Sequence, residues 1–221
     1  MSDRRRLGCG LRGSPNARPT SCRWPDTELI AAAKTARDRL AVIVLLDCGV
    51  RKSELAGIRV RDFDLARRTL TVFGKGQKER VLPLRGRVIL ACEEFLVTPL
   101  RALDRTPEPD DYLLYPERRN KHAVSWAKPK ARMNGQGAHR WWYYLLRDAG
   151  LVEKDVQRGL NMHRARHTFA TELRKDSKDL GVVQRMLGHE DIHTTEAYYG
   201  HYDLSDLEEA MEKFARRKDH M

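Results

Sequence analysis

Apolar residues in the first part of the chain recur at helical spacing. A helix start is indicated at Asp26, and apolar positions then repeat every three or four residues as far as Leu46. Gly49 interrupts this pattern, because glycine readily adopts the backbone conformations that end a helix. We therefore predict one helix over about 26–46 and a short second helix over about 52–58.

Apolar residues between positions 63 and 84 change to a shorter, β-type period. They form runs on either side of a Gly-Lys-Gly-Gln turn at 74–77, which predicts a small antiparallel sheet. Helical spacing resumes over about 88–95, and a short strand is predicted at 112–115 after a proline-rich acidic link. This part of the chain is therefore expected to combine one sheet with one helix.

Residues 117–140 are rich in lysine and arginine and show no amphipathic period. We predict an extended loop or hinge here, which either lies along phosphates or is a solvated linker. A helix is predicted from Trp141 to about Asp148, with its aromatic side chains in the core. The pattern thus predicts a fold that is mainly α-helical with one small antiparallel sheet. Further helices are predicted over about 161–174, 179–187, 194–200 and 204–217.

The balance of charges points to a polyanionic partner. The 221 residues include 42 lysines and arginines against 31 aspartates and glutamates, a formal net charge of +11. Such an excess favours nucleic acid first, with ribosomes and lipid headgroups as alternatives. No apolar run is long enough to cross a bilayer, and the arginines at 4–6 are not followed by the apolar block of a secretory signal. The four scattered cysteines argue against a zinc knuckle and favour a reducing cytosol.

Two segments place a single cation at a sharp turn. In the first, residues 45–64, Arg51 stands at a predicted helix entrance and Glu54 follows three residues later. In the second, residues 72–84, Lys75 lies at the tip of the predicted hairpin between two glycines, which permit close approach of the backbone to a ligand. Each feature alone is common at protein surfaces.

Two further segments bring histidines near an arginine or a tyrosine. His163 and Arg166 share one helical face, and His163 and His167 also have the i,i+4 spacing of a zinc pair. The zinc interpretation is disfavoured, because the metalloprotease pattern requires a glutamate directly after the first histidine and this chain has arginine there. In the last segment, His189 follows a Leu-Gly pair and Tyr198 stands nine residues later.

Together and in this order, the four segments resemble the tyrosine recombinase or phage integrase family over residues from about 25 to 215. The family pattern is an arginine after a T-G-hydrophobic turn, a lysine in G-K-G, an H-x-x-R, an L-G-H and a tyrosine nine residues beyond that histidine. One departure is the first turn, where Asp47-Cys48-Gly49 stands in place of the usual Thr-Gly. The six matching residues are Arg51, Lys75, His163, Arg166, His189 and Tyr198.

The resemblance implies the fold of a tyrosine recombinase catalytic domain and a division into three parts. Residues 1–24 are expected to be a flexible basic arm or an unstructured leader, 25–203 the catalytic domain, and 204–221 a C-terminal helix and tail. Family members usually carry an N-terminal core-binding domain, so we expect either a fragment that recombines poorly or an unusually short member. The C-terminal helix is expected to dock on a neighbouring protomer or on its own chain through Leu204, Leu207, Met211 and Phe214.

The implied reaction is site-specific recombination through a covalent 3′-phosphotyrosine, with no metal, ATP or other cofactor. Tyr198 would be the nucleophile, and spacing disfavours the neighbouring phenols Tyr199 and Tyr202. His163 would act as general base and Lys75 would protonate the departing 5′-oxygen.

The remaining matched residues would neutralise the phosphate. Arg51 and Arg166 would each offer a planar fork of donors to its oxygens, and His189 would donate a further hydrogen bond.

The resemblance also implies the partners. These are double-stranded DNA attachment or core sites in the cytoplasm of a bacterial host, away from any membrane, with a tetramer formed on DNA and a free monomer left open. Accessory DNA-bending or directionality proteins also stay open. Integration of a phage or mobile element is the first expectation, and chromosome-dimer resolution and integron-type cassette exchange are alternatives. The rival classes are a type IB topoisomerase and a non-catalytic DNA-binding regulator. The candidate DNA contacts are Lys78, Arg80, Arg118, Arg119, Lys121, Lys128, Lys130 and Arg132.

Overall fold

The computed structural model describes residues 25–74, 76, 78–100, 103–119, 124–151, 161–177, 179–188 and 204–219. These residues form mainly helices with a three-stranded and a two-stranded antiparallel sheet, which confirms the predicted fold class. The helices are α1 (Asp26–Ala32), α2 (Ala36–Cys48), α3 (Lys52–Leu55), α4 (Arg87–Val97), α5 (Gly135–Asp148), α6 (Met162–Ser177), α7 (Leu180–Leu187) and α8 (Leu204–Asp219). The strands are β1 (Phe63–Asp64), β2 (Thr69–Phe73), β3 (Glu79–Pro83), β4 (Glu117–Arg119) and β5 (Val124–Ala127), and a 3₁₀ turn spans Val60–Asp62.

Helix α2 forms the centre of the hydrophobic core. It packs against α1, α4 and α6, and its apolar side chains are buried on all sides, as expected of a helix that is hydrophobic all round. The prediction of one continuous helix over 26–46 was wrong, because α1 ends at Ala32 and a second helix begins after Thr35. Its hydroxyl accepts a hydrogen bond from the Asp38 N–H at 2.9 Å and caps a new helix. At the other end Gly49 adopts φ 60°, as the sequence predicted for a helix stop.

The three-stranded sheet has the order β1-β2-β3, as its alternating pattern predicted. In the register of β2 and β3, Leu70 lies opposite Leu82, and Val72 lies opposite Arg80. Successive side chains of a strand point to opposite faces, so Arg80 shares its face with the buried Leu82. An arginine therefore points towards the core side of this sheet.

Residues 112–148 differ most from the predictions. Residues 112–115 form no strand apart from one bridge between Tyr112 and Arg59; Leu113 and Leu114 are instead buried inside a loop. The predicted loop over 117–140 contains the β4–β5 hairpin. Helix α5 begins six residues before the predicted start at Trp141, because the Asn134 side chain accepts a hydrogen bond from Gly137 N–H at 2.7 Å and caps it. The aromatic pair Trp141 and Trp142 is buried, as predicted, whereas Tyr144, which was also expected in the core, is 42% exposed.

A buried arginine attaches the β4–β5 hairpin to α2. Arg37 donates hydrogen bonds to Asp38 at 2.7 Å and to both carboxylate oxygens of Glu117 at 2.9 and 3.0 Å. It also lies 4.6 Å from the ring centre of Tyr115. The indole N–H of Trp141 donates to Asp38 at 2.9 Å, which joins α5 to the same group. We refer to Arg37, Asp38, Glu117 and Trp141 as the hairpin cluster.

Helix α8 packs on α6, α7 and β3 of its own chain. Leu207, Met211 and Phe214 are buried there, and the Phe214 ring lies 5.3 Å from the ring of Phe169. Leu204, which was predicted to share this apolar face, is 41% exposed because it starts the helix beyond the packed surface. In this structure of a single chain the C-terminal helix packs on its own chain, and docking on a neighbouring protomer stays a prediction.

Candidate active site

Arg51 is fixed at the entrance of α3 by the turn that ends α2. The carboxylate of Glu54 accepts hydrogen bonds from the Arg51 backbone N–H at 2.6 Å and from its Nη1 at 3.0 Å. The Arg51 Nη2 donates to the carbonyl oxygen of Gly188 at 3.0 Å. The side chain is still 39% exposed, so a ligand can reach it.

Arg166 approaches the same place from α6 and is buried. Its Nη1 donates to the carbonyl oxygen of Gly49 at 2.8 Å and its Nη2 to that of Leu187 at 2.6 Å. Gly49 is required here for two reasons: its φ is positive, and an added Cβ would lie 2.2 Å from the Phe169 ring. Burial, together with repulsion from the positive charge of Arg51, lowers the pKa of Arg166 to about 10.

Glu54 is the acidic centre of this arrangement. Its side chain is 1% exposed, and both carboxylate oxygens accept hydrogen bonds from Arg80, at 2.7 and 2.8 Å. Its Oε2 also lies 3.7 Å from Arg166 Nη1. Burial alone would raise the pKa of Glu54, but the hydrogen bonds from Arg80 and the surrounding positive charge outweigh it and hold the pKa below its ordinary value.

The C-terminal end of α7 supplies further acceptors for the three arginines. The carbonyl oxygens of the consecutive residues 186, 187 and 188 accept from Arg80 Nε at 3.1 Å, Arg166 Nη2 at 2.6 Å and Arg51 Nη2 at 3.0 Å. Carbonyls at the end of a helix carry partial negative charge and have no partner within the helix. We call Arg51, Glu54, Arg80 and Arg166 the arginine cluster. Among the described residues it holds three guanidinium groups and one carboxylate, a formal charge of +2.

The remaining predicted catalytic residues are only partly described. His163 lies exposed on α6, one turn before Arg166. Lys75, His189 and Tyr198 lie outside the described residues. The ends of the hairpin that carries Lys75 are described, and the Gly74 N–H donates to the carbonyl oxygen of Lys78 at 2.8 Å. The structure therefore brings together Arg51 and Arg166 of the six, and leaves the other positions as predictions.

The predicted DNA contacts fall into different environments. Arg80 faces Glu54 and its side chain is only 14% exposed, so its arrangement gives no support to a DNA contact. Arg132 donates to the carbonyl oxygen of Ser53 at 2.6 Å, beside Arg51. Lys130 pairs with Glu108 at 3.0 Å. Lys78 and Lys130 are exposed, and Lys128 lies 5.8 Å from the ring centre of Trp126. Arg118 and Arg119 belong to β4. Lys121 lies outside the described residues.

A groove of about 940 Å³ opens beside the arginine cluster. Strand β2 and the loop after α3 form its walls, and its charged lining consists of four arginines, including Arg51 and Arg132, and the two carboxylates of Glu54 and Asp62. The exposed ring of Phe73 stands at its edge. Such a groove can take an extended anionic chain that ends at Arg51.

Two other features are absent from the described part of the chain. There, no group of three or more histidine, cysteine, aspartate or glutamate side chains is arranged to hold a metal ion. No helix among those described has the length and apolar character to span a bilayer.

Comparison with known proteins places this site in a family. Residues 27–204 match the model of the phage integrase family. The chain is 34% identical over 171 residues to the tyrosine recombinase XerC of Pseudomonas fluorescens, covering 77% of this chain and 50% of that protein. It therefore spans about half the length of this relative.

Solved structures share the fold. The XerA recombinase superposes with a TM-score of 0.56 at 27% identity, covering 90% of this chain and 66% of that one. The Tn1549 transposon integrase in complex with circular intermediate DNA matches at 18% identity with a TM-score of 0.53, covering 93% of this chain and 66% of that one, and shows the fold alone. With its arginine cluster, its mainly helical fold and a family match over most of its length, the chain belongs to the phage integrase family of tyrosine recombinases.

Proposed function

We propose that this chain is the catalytic part of a site-specific recombinase that cleaves and rejoins DNA through a covalent 3′-phosphotyrosine at Tyr198. The observation that carries the proposal is the arginine cluster, which holds two more positive than negative charges at the end of a groove lined by more arginines than carboxylates. The relatives of this chain that are named as recombinases support the choice of substrate.

The scissile phosphate is the anion that this cluster would receive. Attack on a phosphodiester adds negative charge to its non-bridging oxygens, and preorganised donors stabilise that charge by about 3 kcal/mol each. Among the described residues, Arg51 uses two of its five N–H donors, one on Glu54 and one on a backbone carbonyl. Arg166 uses two of its five on backbone carbonyls. The other donors on each fork serve the phosphate.

The reaction then proceeds in two balanced steps. The Tyr198 oxygen attacks phosphorus while His163 accepts the phenol proton, and the bond to the 5′-oxygen breaks as Lys75 gives that oxygen a proton. His189 donates a hydrogen bond to the phosphate. In the second step a 5′-hydroxyl gives its proton to Lys75 and attacks the phosphotyrosine, the bond from phosphorus to the Tyr198 oxygen breaks as His163 returns the phenol proton, and the ester is restored without an external energy source.

DNA beyond the scissile phosphate would be held by the exposed cations. Lys78, Lys128 and Arg132 lie near the groove or on the hairpins, and assembly of four chains on paired sites would complete the complex. Because such contacts release counterions, DNA binding should weaken steeply with added salt.

The biological setting has two candidates. Integration of a phage or mobile element is the sequence prediction, and a Xer-type reaction is favoured by the 34% identity to XerC. The two settings are distinguished by the products when the reaction is run once between two sites on one plasmid and once between sites on two separate molecules. Relaxation of a supercoiled plasmid that carries no recombination site would instead indicate the topoisomerase class.

The decisive experiment uses a pool of nicked duplexes of random core sequence, which trap a covalent adduct because the short cleaved strand diffuses away. The unsubstituted chain should give a protein–DNA adduct on a denaturing gel, and Tyr198→Phe should give none. Tyr199→Phe is the matched control and should retain the adduct. An adduct that persists in Tyr198→Phe would exclude Tyr198 as the nucleophile.

A further inference from the structure

Arg80 occupies an unusual place for a charged side chain. It lies on β3 opposite Val72, on the sheet face that also carries the buried Leu82. Its side chain is 14% exposed, whereas that of Arg51 is 39% exposed. Arg80 therefore points inward, away from the surface that a DNA strand would follow.

All three nitrogens of the Arg80 guanidinium donate hydrogen bonds inside the protein. Nη1 and Nη2 bind the two carboxylate oxygens of Glu54 at 2.7 and 2.8 Å, and Nε binds the carbonyl oxygen of Met186 at 3.1 Å. The group also packs on Gly188, where an added Cβ would lie 3.0 Å from Nη1. A paired-fork contact of this kind fixes the plane of the carboxylate as well as its position.

Fixing that plane matters because Glu54 has other cations within reach. Its Oε1 also accepts from Arg51 Nη1, and its Oε2 lies 3.7 Å from Arg166 Nη1. If Arg80 were absent, the carboxylate could turn fully towards these two arginines. It would then take up N–H donors that the phosphate needs, and the formal charge of the cluster would fall from +2 to +1.

We propose that Arg80 is a positioning residue for strand cleavage, which acts through Glu54 rather than by touching DNA. It holds Glu54 in one orientation, so that Arg51 and Arg166 keep donors free for the scissile phosphate. It also ties the hairpin that carries Lys75 to the end of α7, which directly precedes His189 in the sequence. This inference rests on the proposed function, and it adds to that function a residue outside the six matched positions.

The test compares Arg80→Gln, Arg80→Lys and Arg67→Gln with the unsubstituted chain. Arg67 is the matched control, since its side chain is 84% exposed and lies in the turn before β2. Single-turnover adduct formation at saturating nicked duplex and the dissociation constant for that duplex are measured separately. We expect Arg80→Gln to lower the cleavage rate about 100-fold and to change the dissociation constant less than about threefold, because the cluster loses order and charge but no DNA contact.

The other variants sharpen the result. Arg80→Lys should cleave about tenfold faster than Arg80→Gln, since an ammonium group can bind one oxygen of Glu54 but cannot form the paired fork. Arg67→Gln should match the unsubstituted chain. If Arg80→Gln does not fold, as judged by its thermal transition, Arg80→Lys carries the same comparison.

A double-mutant cycle separates action through Glu54 from an independent role. In a Glu54→Gln background, the Arg80→Gln substitution should cost less than about threefold in rate, because the group through which it acts is already altered. Additive effects, an unchanged rate in Arg80→Gln, or a loss of affinity as large as the loss of rate would each overturn the inference. Absence of an adduct from the unsubstituted chain would overturn the proposed function and this inference together.

Discussion

Two of the buried groups built around arginine in the described residues are charged in opposite ways. In the hairpin cluster a single guanidinium, Arg37, is met by the carboxylates of Asp38 and Glu117. Burial there opposes the charged form, but the two carboxylates outweigh it and raise the pKa of Arg37. In the arginine cluster one carboxylate, Glu54, is shared among three guanidinium groups, and the pKa of Arg166 falls to about 10.

Under the proposed function, this difference separates a structural ion pair from a site that binds a phosphate. Buried charges are normally paired, because an unpaired charge loses its hydration without compensation. The hairpin cluster meets this requirement with its own residues. Among the described residues the arginine cluster meets it only in part, through Glu54 and backbone carbonyls, and under the proposed function a phosphate would complete it.

The largest expected effect is on catalysis. Arg166→Gln should lower single-turnover adduct formation about a thousandfold, because it removes a preorganised donor to the charge that develops in the transition state. The measurement uses nicked duplex at saturating protein, with the thermal transition recorded to confirm that the variant is folded. A rate within tenfold of the unsubstituted chain would mean that Arg166 does not bind the phosphate.

The matching substitution in the hairpin cluster should act on stability alone. Arg37→Gln leaves two buried carboxylates without the cation between them, which should lower the free energy of unfolding by about 3 kcal/mol. Urea denaturation measures the loss, and adduct formation by the folded fraction should stay within about threefold of normal. A loss of catalysis with little change in stability would contradict the division between the two clusters.

A smaller effect is expected from inorganic phosphate. If the arginine cluster takes an anion, phosphate at ten times its dissociation constant should raise the free energy of unfolding by about 1.4 kcal/mol. Thermal denaturation with and without phosphate measures this shift, with sodium chloride at equal ionic strength as the reference. The shift should disappear in Arg51→Gln and persist in Arg37→Gln; equal shifts in both variants would indicate general surface binding.

The sequence singled out two arginines that the structure brings together, but not the groups that lie between them. Arg51 and Arg166 stand in motifs of fixed spacing, whereas Glu54 was noted only for its distance from Arg51. Arg80 was predicted as a DNA contact because it lies in a basic run. Residues two positions apart on a strand share a face, so the position of Arg80 two residues before the buried Leu82 indicated that it points inward.

The errors in the predicted secondary structure also have local causes. The apolar spacing continues through the break between α1 and α2, so the cap at Thr35 was overlooked. The basic segment before α5 hid the β4–β5 hairpin, whose register shifts between Arg118 and Arg119 and so breaks the two-residue alternation. The loop at 112–115 looked like a strand because it is apolar, yet the Leu113 N–H binds the Ile58 carbonyl oxygen as part of a buried loop.

The three neighbouring carbonyls at the end of α7 have a consequence for the energetics of substrate binding. Their partial negative charges reduce the repulsion between the three arginines. The free-energy cost of bringing these cations together is therefore met during folding. Under the proposed function, an incoming phosphate then meets N–H donors that are already held in place, and little of its binding energy is spent on rearranging the protein.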